Sequence, residues 1–256
     1  MGDTLRFIPK NKPTLTVKTV LHKKLNAFKI PEERKNLVWK AANLFYKQSR
    51  LLPRMHISLF KNSPIGGGLG SGSSNAATTL LTLNRFHNYP LSCSSLKRIA
   101  ISLGSDIPFF LLQNSAWVSG KGNIICQSSF SLKGWLLLIN PGFSISTPWA
   151  YRQWDKRAPS LTKKTNDVTN WKSQFQLKNW LANKQEYKND FEYVIYPKFP
   201  MLKIARHRLS IRGASVVSLS GSGPTLFGLF KKKHLAQQAA RLFQRERWLV
   251  WITQGA

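Results

Sequence analysis

A glycine-rich loop followed by a predicted helix is the part of this sequence best suited to hold a phosphate group. Five of the seven residues in 66–72 are glycine, and Ser73 and Ser74 follow directly. Glycines allow positive φ angles and let a ligand approach the main chain closely. Residues 76–83 then predict a packed helix, whose N-terminus would offer unpaired N–H groups to an anion. The segment therefore predicts a nucleotide phosphate site rather than a flexible linker.

This loop differs from three better-known nucleotide-binding loops. It lacks the Gly-Lys-Ser or Gly-Lys-Thr ending of a P-loop, and no Gly-x-Gly-x-x-Gly can be placed within residues 66–74. The Val-Ala-Ile-Lys and His-Arg-Asp signatures of protein kinases are also absent from the sequence. The loop therefore belongs to a different class of phosphate site.

Asp106 is the acidic residue best placed for chemistry. It is one of only 10 acidic residues, and it lies between a predicted helix end and the apolar turn 107–110. A carboxylate near a substrate hydroxyl can accept its proton or orient it for attack on a phosphate. An acid at this position can equally be a helix cap, so the residue pattern leaves both roles open.

The elements that must position these residues predict a mixed α+β protein. Alternating apolar and polar residues predict a strand over 14–20, and further strands are predicted over 56–60, 116–118, 135–139, 214–219, 225–230 and 248–253. Helical patterns predict helices from 31 through 45, from the loop to 86, over 92–103 and over 233–246. A second glycine turn, 218–224, lies between two predicted strands, where a hairpin turn is the commoner reading. We expect two domains, residues 1–133 and 134–256, while the polar segment 155–190 gives no clear pattern.

The sequence is strongly basic, with 39 Lys and Arg against 10 Asp and Glu. These charges are spread along the chain, and the densest clusters, 231–233 and 241–247, fall on a predicted solvated helix. No zinc finger, RNP motif or Arg-Gly repeat accompanies them, so nucleic acid is an unlikely partner. Anionic small-molecule substrates are favoured instead.

The sequence shows no membrane or disulfide signature. No apolar run approaches the roughly 20 residues of a membrane span, and the first residues lack the apolar core of a signal peptide. Cys93 and Cys126 have no metal-site spacing and are expected to be reduced thiols. We therefore expect a cytoplasmic protein with no membrane partner.

Three motifs, in this order, resemble those of the GHMP kinases, a superfamily of small-molecule kinases. They are the loop 64–77, the Gly-x-Asp-x-Pro-Phe-Phe segment 104–110 and the Ser-Gly-Ser-Gly turn 220–223. Further stretches are similar to the branch that acts on 4-diphosphocytidyl-2-C-methyl-D-erythritol: 66–80, 103–111, 140–142, 146–148 and 189–192. The resemblance implies a ribosomal-protein-S5-like α+β domain followed by a ferredoxin-like α+β domain.

The same resemblance implies transfer of phosphate from ATP, with Mg²⁺, to the 2-hydroxyl of that substrate in non-mevalonate isoprenoid biosynthesis. Asp106 matches the aspartate that receives or orients the hydroxyl proton. Ser73 or Ser74 is a candidate contact for Mg²⁺ or phosphate. The residues that match the ATP phosphate loop are Pro64, Gly66, Gly67, Gly68, Leu69, Gly70, Ser71, Gly72, Ser73 and Ser74.

Other matched positions concern the nucleotide base, the third motif and the substrate. Residues that match positions lining the base are Asn36, Leu37 and Lys61. Residues that match the third motif, which supports the phosphate site, are Gly221, Ser222 and Gly223. Thr147 and Tyr151 match the substrate site, where the tyrosine would stack on cytosine. Two alternatives stay open: Tyr151 as core filler, and Lys61 as a solvated surface lysine.

The beginning of the sequence departs from the family pattern. Family members begin with a Pro-Ala-Lys-Leu-Asn-Leu strand and a Gly-Tyr-His element, and that lysine works with the aspartate. This sequence begins at a segment that resembles the family's Gly-Asp-Thr-Leu, so we expect no residue here to match the lysine. Residues 24–26 are not equivalent, because they follow that segment. The alternatives are a GHMP kinase for homoserine or mevalonate, a degenerate remnant, or a basic nucleic-acid-binding protein.

Overall fold

The computed structural model describes residues 2–112, 114–120, 122, 124–128, 132–157 and 189–255. Contacts within the chain define two compact units, one of residues 1–65 with 70–130 and the other of residues 66–69 with 131–256. The main change falls near the predicted domain boundary at residue 134. The grouping of 66–69 with the second unit was not predicted. Among the described residues, no helix is both long and apolar enough to cross a membrane.

The first unit combines a three-stranded sheet, a two-stranded sheet and four helices. Its strands are β1 (Thr4–Pro9), β2 (Thr14–Leu21), β3 (Arg54–Lys61), β4 (Ala116–Ser119) and β5 (Ile124–Gln127). Its helices are α1 (Leu37–Ser49), α2 (Ser71–Phe86), α3 (Cys93–Leu103) and α4 (Ile107–Leu111). In the larger sheet β3 is central, antiparallel to β1 and parallel to β2.

The core of this unit follows from the alternation in β3. Met55, Ile57 and Leu59 point to one face and are buried together with Phe45 of α1 and Leu80 of α2. Burying a side chain of this size stabilises a fold by about 1.5–3 kcal/mol. Helices α1 and α2 therefore pack on one face of the strand that leads into the glycine loop.

The second unit has an antiparallel sheet covered by helices. Its strands are β6 (Trp135–Asn140), β7 (Val216–Leu219), β8 (Leu226–Phe230) and β9 (Leu249–Gln254). Its described helices are α5 (Thr147–Arg157), α6 (Glu192–Lys198), α7 (Pro200–Ile211) and α8 (Lys233–Arg245). The strand order is β7-β8-β6-β9, with helices between β6 and β7 and between β8 and β9. This is the predicted ferredoxin-like arrangement, and the α+β prediction is confirmed.

Several sequence predictions need correction. The helix predicted from residue 31 begins at Leu37, because Asn36 caps it and residues 33–35 form a separate 3-10 turn. The turn predicted at 107–110 is the short helix α4. The solvated helix near the C-terminus is α8, and one of its faces is buried through Ala236 and Phe243. Elements that were not predicted are β1, β5, α5, α6 and α7. Most of the unclear segment 155–190 lies outside the described residues.

Candidate active site

The tip of the glycine loop packs against the second glycine turn within the second unit. Ser220 Oγ donates a hydrogen bond to the Gly68 carbonyl at 2.9 Å, across 152 residues of sequence. The Thr225 N–H donates to the Gly67 carbonyl at 3.3 Å. A Cβ atom on Gly68, whose φ is +78°, would lie 2.1 Å from the Ser220 carbonyl oxygen. Only glycine fits there, so the second turn fixes the course of the loop.

Side chains of the second unit hold that turn in place. Asn189 Nδ2 donates to the carbonyls of Leu219 at 2.9 Å and of Gly221 at 2.6 Å. The hydroxyls of Thr147 and Ser222 are hydrogen-bonded at 2.9 Å. Thr147 opens α5, so the predicted substrate residue and the predicted third motif are joined directly.

The loop leaves its tip through Gly70 and enters α2 in the first unit. Gly70 has left-handed φ and ψ of 64° and 9°, and no side chain caps the helix. The Ser74 N–H bonds the Gly70 carbonyl at 2.9 Å, whereas the N–H groups of Ser71, Gly72 and Ser73 have no partner within the described chain. Such a helix N-terminus is an anion-binding site.

Two hydroxyl groups lie on this first turn of α2. Ser73 and Ser74 are half-buried, and neither hydroxyl has a hydrogen-bond partner among the residues that the structure describes. Nowhere in that part of the chain do three or more His, Cys, Asp or Glu residues cluster as a metal site. Mg²⁺ in nucleotide sites commonly uses few protein oxygens together with phosphates. The two serines fit that limited role.

A buried ion pair supports the start of α2. Lys61 is 5% exposed, and its Nζ donates to Asp3, to Ser63 Oγ at 2.9 Å and to Ser71 Oγ at 3.0 Å. Asp3 also accepts from Asn75 Nδ2 at 2.8 Å. The alternative of a solvated surface lysine is therefore wrong. The pair links the end of β3 to the first turn of α2.

Burial and charge act against each other in this pair. Burial raises the pKa of Asp3, but the charge of Lys61 and hydrogen bonds from Lys61, Asn75 and Ser63 outweigh it, so the pKa is lowered. Burial lowers the pKa of Lys61 and is only partly opposed by Asp3. Asp3 was not identified from the sequence. Two features could have drawn attention to it. Asp3 is one of only 10 acidic residues, and it lies in the first segment that resembles the family pattern.

Asn36 and Leu37 lie at the start of α1, and their side chains make different contacts. Asn36 is buried, with Oδ1 accepting from the Val38 N–H at 2.9 Å and Nδ2 donating to Thr19 Oγ1 at 3.1 Å. Its amide is therefore occupied as the cap of α1. Leu37 Cδ1 lies 3.4 Å from where a Cβ on Gly72 would stand. Of the predicted base-lining residues, Leu37 thus offers an apolar side chain beside α2.

Asp106 is exposed and directly precedes α4. Its side chain makes no capping hydrogen bond, and among the described residues Oδ1 accepts from Ser105 Oγ at 3.4 Å. The helix-cap alternative therefore has no support. Phe110 of α4 lies 2.9 Å from where a Cβ on Gly70 would stand, so α4 packs against the start of α2 within the first unit. The Asp106 carboxylate is therefore not engaged as the cap of α4.

Tyr151 lies on α5, one helical turn after Thr147. It is 55% exposed, and its ring contacts Phe191 edge to face, with 4.9 Å between the ring centroids. The core-filler alternative is wrong, because more than half of the side chain is open to solvent. The ring is anchored at one side and can stack on a flat ligand at the other.

Comparisons with known proteins give a consistent family. The sequence matches the GHMP kinases N terminal domain over residues 36–114 and the GHMP kinases C terminal over 174–247. It is 35% identical to the 4-diphosphocytidyl-2-C-methyl-D-erythritol kinase of Thermodesulfovibrio yellowstonii, covering 95% of this chain and 82% of that protein. It is 34% identical to the enzyme of the same name from Syntrophus aciditrophicus, covering 99% and 86%.

Solved structures agree with these relatives. A crystal structure of 4-(cytidine 5'-diphospho)-2C-methyl-D-erythritol kinase has a TM-score of 0.72 at 29% identity, over 99% of this chain and 86% of that one. The homoserine kinase of Cytophaga hutchinsonii has a TM-score of 0.74 at 15% identity, over the same shares. That second likeness concerns the fold alone.

Proposed function

We propose, since this chain belongs to the GHMP kinase family, that it uses ATP to phosphorylate the 2-hydroxyl of 4-diphosphocytidyl-2-C-methyl-D-erythritol. The substrate is taken from the relatives at 34–35% identity over most of both chains. The observation that carries the phosphoryl-transfer step is the uncapped N-terminus of α2 behind left-handed Gly70. Its free N–H groups form a ready-made site for the terminal phosphate of ATP.

The glycine loop binds and orients the phosphates in this proposal. The N–H groups of Ser71, Gly72 and Ser73 donate to phosphate oxygens, and the helix dipole adds partial positive charge. Preorganised donors aimed at a transferring phosphoryl group are a main source of rate enhancement. Mg²⁺, held in part by Ser73 or Ser74, would supply further neutralisation of phosphate charge.

Asp106 acts on the attacking hydroxyl. Its carboxylate accepts or orients the hydroxyl proton, which aligns the oxygen lone pair for attack on phosphorus. The lack of a capping bond supports this role, because the group is not already committed to a helix N–H.

The remaining predicted residues hold the two ligands. Tyr151 stacks on cytosine, and Thr147, which opens the same helix, binds the substrate or holds the glycine turn. Leu37 gives an apolar contact to the nucleotide base. Asn36 and Lys61 act by fixing the starts of α1 and α2, since their polar atoms are taken up by the protein. A cytoplasmic location, where ATP is abundant, is part of the proposal.

The test is a comparison of phosphate acceptors. ADP release is measured with 4-diphosphocytidyl-2-C-methyl-D-erythritol, homoserine and mevalonate in parallel, using the wild type and Asp106→Asn. We expect turnover with the first alcohol alone, and its loss in the variant with ATP binding retained. Faster turnover of homoserine or mevalonate would replace the proposed substrate, and near-wild-type turnover by Asp106→Asn would remove the role of that residue.

A further inference from the structure

The segment 189–192, Asn-Asp-Phe-Glu, lies at the start of α6 and contacts the edge of the second unit's sheet. β7 stands first in the strand order β7-β8-β6-β9, and Leu219 is its last residue. The Leu219 carbonyl accepts from Asn189 Nδ2 at 2.9 Å, and the Leu219 N–H donates to Glu192 Oε1 at 3.2 Å. These two side chains therefore supply the bonds that a further strand would give, at the point where the second glycine turn begins.

The Asn189 side chain uses both ends of its amide. Nδ2 also donates to the Gly221 carbonyl at 2.6 Å, and Oδ1 accepts from the Phe191 N–H at 3.0 Å. An aspartate could accept from that N–H equally well, but a carboxylate cannot donate to two carbonyl oxygens. Asparagine is the one side chain of this length that has two amide donors and an acceptor. The nitrogen end of the amide is therefore what this position requires.

The nitrogen end leads to the phosphate loop. Its two acceptors, the carbonyls of Leu219 and Gly221, belong to the residues on either side of Ser220. Ser220 Oγ in turn donates to the Gly68 carbonyl at the loop tip, at 2.9 Å. A Cβ on Gly221 would lie 3.0 Å from the same carbonyl oxygen, so the turn and the loop tip are in close contact. Asn189 thus fixes the main chain that carries the hydroxyl bound to the loop.

The oxygen end leads to the aromatic ring proposed to stack on cytosine. The Phe191 N–H is held by Asn189, and the Phe191 ring supports the Tyr151 ring edge to face at 4.9 Å between centroids. Tyr151 is 55% exposed, so one part of its ring is open to a ligand while another rests on Phe191. Asn189, the two rings, the glycine turn and the loop tip 66–69 all belong to the second unit.

We propose that Asn189 is a positioning residue for both substrates. Its amide nitrogen holds the turn that fixes the ATP phosphate loop, and its amide oxygen holds the phenylalanine beneath the ring that stacks on cytosine. It acts through Ser220 and Phe191 rather than by contact with a ligand. The inference rests on the proposed function for the identity of the two ligands, whereas the role of Asn189 follows from its contacts.

Asn189→Asp separates the two ends of the amide. It keeps an oxygen for the Phe191 N–H but turns a carboxylate toward two carbonyl oxygens, so the glycine turn and the loop tip should shift. Calorimetric titration should show at least a tenfold higher Kd for ATP with Mg²⁺. The Kd for 4-diphosphocytidyl-2-C-methyl-D-erythritol, measured without ATP, should change less than twofold. A general loss of stability would not produce this difference between the two ligands.

Asn189→Ala removes both ends and should raise both Kd values, that for ATP about tenfold and that for the alcohol about threefold. Gln237→Glu, on the exposed face of α8, is the control for charge, because it makes the same change as Asn189→Asp and should leave both Kd values unchanged. Far-UV circular dichroism confirms that each variant is folded.

Wild-type affinity for ATP in both Asn189 variants would overturn the inference, even where the wild type phosphorylates the alcohol. An equal loss of affinity for both ligands in Asn189→Asp would also overturn it, because that result indicates a general structural role. At least tenfold weaker ATP binding by Asn189→Asp, with the control unchanged, would support it even where another alcohol proves to be the acceptor. The inference and the proposed function can therefore fail separately.

Discussion

Replacing Gly68 with alanine tests whether the second glycine turn fixes the course of the phosphate loop. The new Cβ would lie 2.1 Å from the Ser220 carbonyl oxygen and 2.9 Å from the Gly223 nitrogen. Both atoms belong to the main chain, so no side-chain rotation can relieve the overlap. The loop tip and the turn must therefore separate.

The expected loss of stability has two parts. A left-handed φ of +78° costs a non-glycine residue about 1–2 kcal/mol. Separation of the loop from the turn also breaks the bonds from Ser220 Oγ and the Thr225 N–H, each worth about 1 kcal/mol. Gly213→Ala is the matched control, because its φ of +89° is similar but its Cβ would lie 3.7 Å from Leu235 Cδ1, an ordinary contact.

Urea unfolding and ATP titration of the two variants separate these parts. Both should lose about 1–2 kcal/mol through backbone strain, and Gly68→Ala should lose about 2 kcal/mol more. The KM for ATP should rise at least tenfold in Gly68→Ala alone, because only that variant displaces the loop. Equal destabilisation of the two variants, with an unchanged KM, would mean that the second glycine turn does not fix the course of the loop.

Three further predictions concern the site. Asp106→Asn should lower kcat by about 10²–10⁴-fold and leave the Kd for ATP unchanged, as measured by turnover and by nucleotide titration. Asp3→Asn should lower the free energy of unfolding by about 3 kcal/mol, because it leaves Lys61 buried without its partner, whereas the exposed control Asp155→Asn should change it little. The lowered pKa of Asp3 also means that its contribution is complete above about pH 4 and is lost as pH falls through the lowered value, so acid should destabilise the wild type more steeply than Asp3→Asn. Tyr151→Ala should raise the KM for the cytidine substrate about tenfold, and Tyr151→Phe, which keeps the ring, should leave it nearly unchanged.

Much of the fold could be predicted because local patterns and tertiary structure agree. The alternation in β3, the continuous apolar run of β6 and the helical pattern after the glycine loop predicted elements that the structure confirms. The start of α1 was misplaced because the Glu33 carboxylate accepts from the Val17 N–H at 2.5 Å, which holds the preceding turn against β2. Helices α6 and α7 were missed because Pro197 and Pro200 interrupt the helical period.

The candidate site was predictable in its motifs and not in its contacts. The order of the glycine loop, the Asp106 segment and the second glycine turn indicated a kinase family. No pattern could show that Ser220 bonds Gly68, because such pairing depends on the whole sheet of the second unit. The partner of Lys61 was likewise hidden, since Asp3 lies far away in sequence and joins it only when β1 pairs with β3.

The most direct test of the proposed phosphoryl transfer follows the transferred phosphate itself. The chain is incubated with Mg²⁺, ATP and 4-diphosphocytidyl-2-C-methyl-D-erythritol, and the products are read by ³¹P NMR. We expect ADP together with a new phosphomonoester on the 2-hydroxyl, and no such product with Asp106→Asn. A folded, ATP-binding protein that forms no phosphomonoester on this alcohol would contradict it.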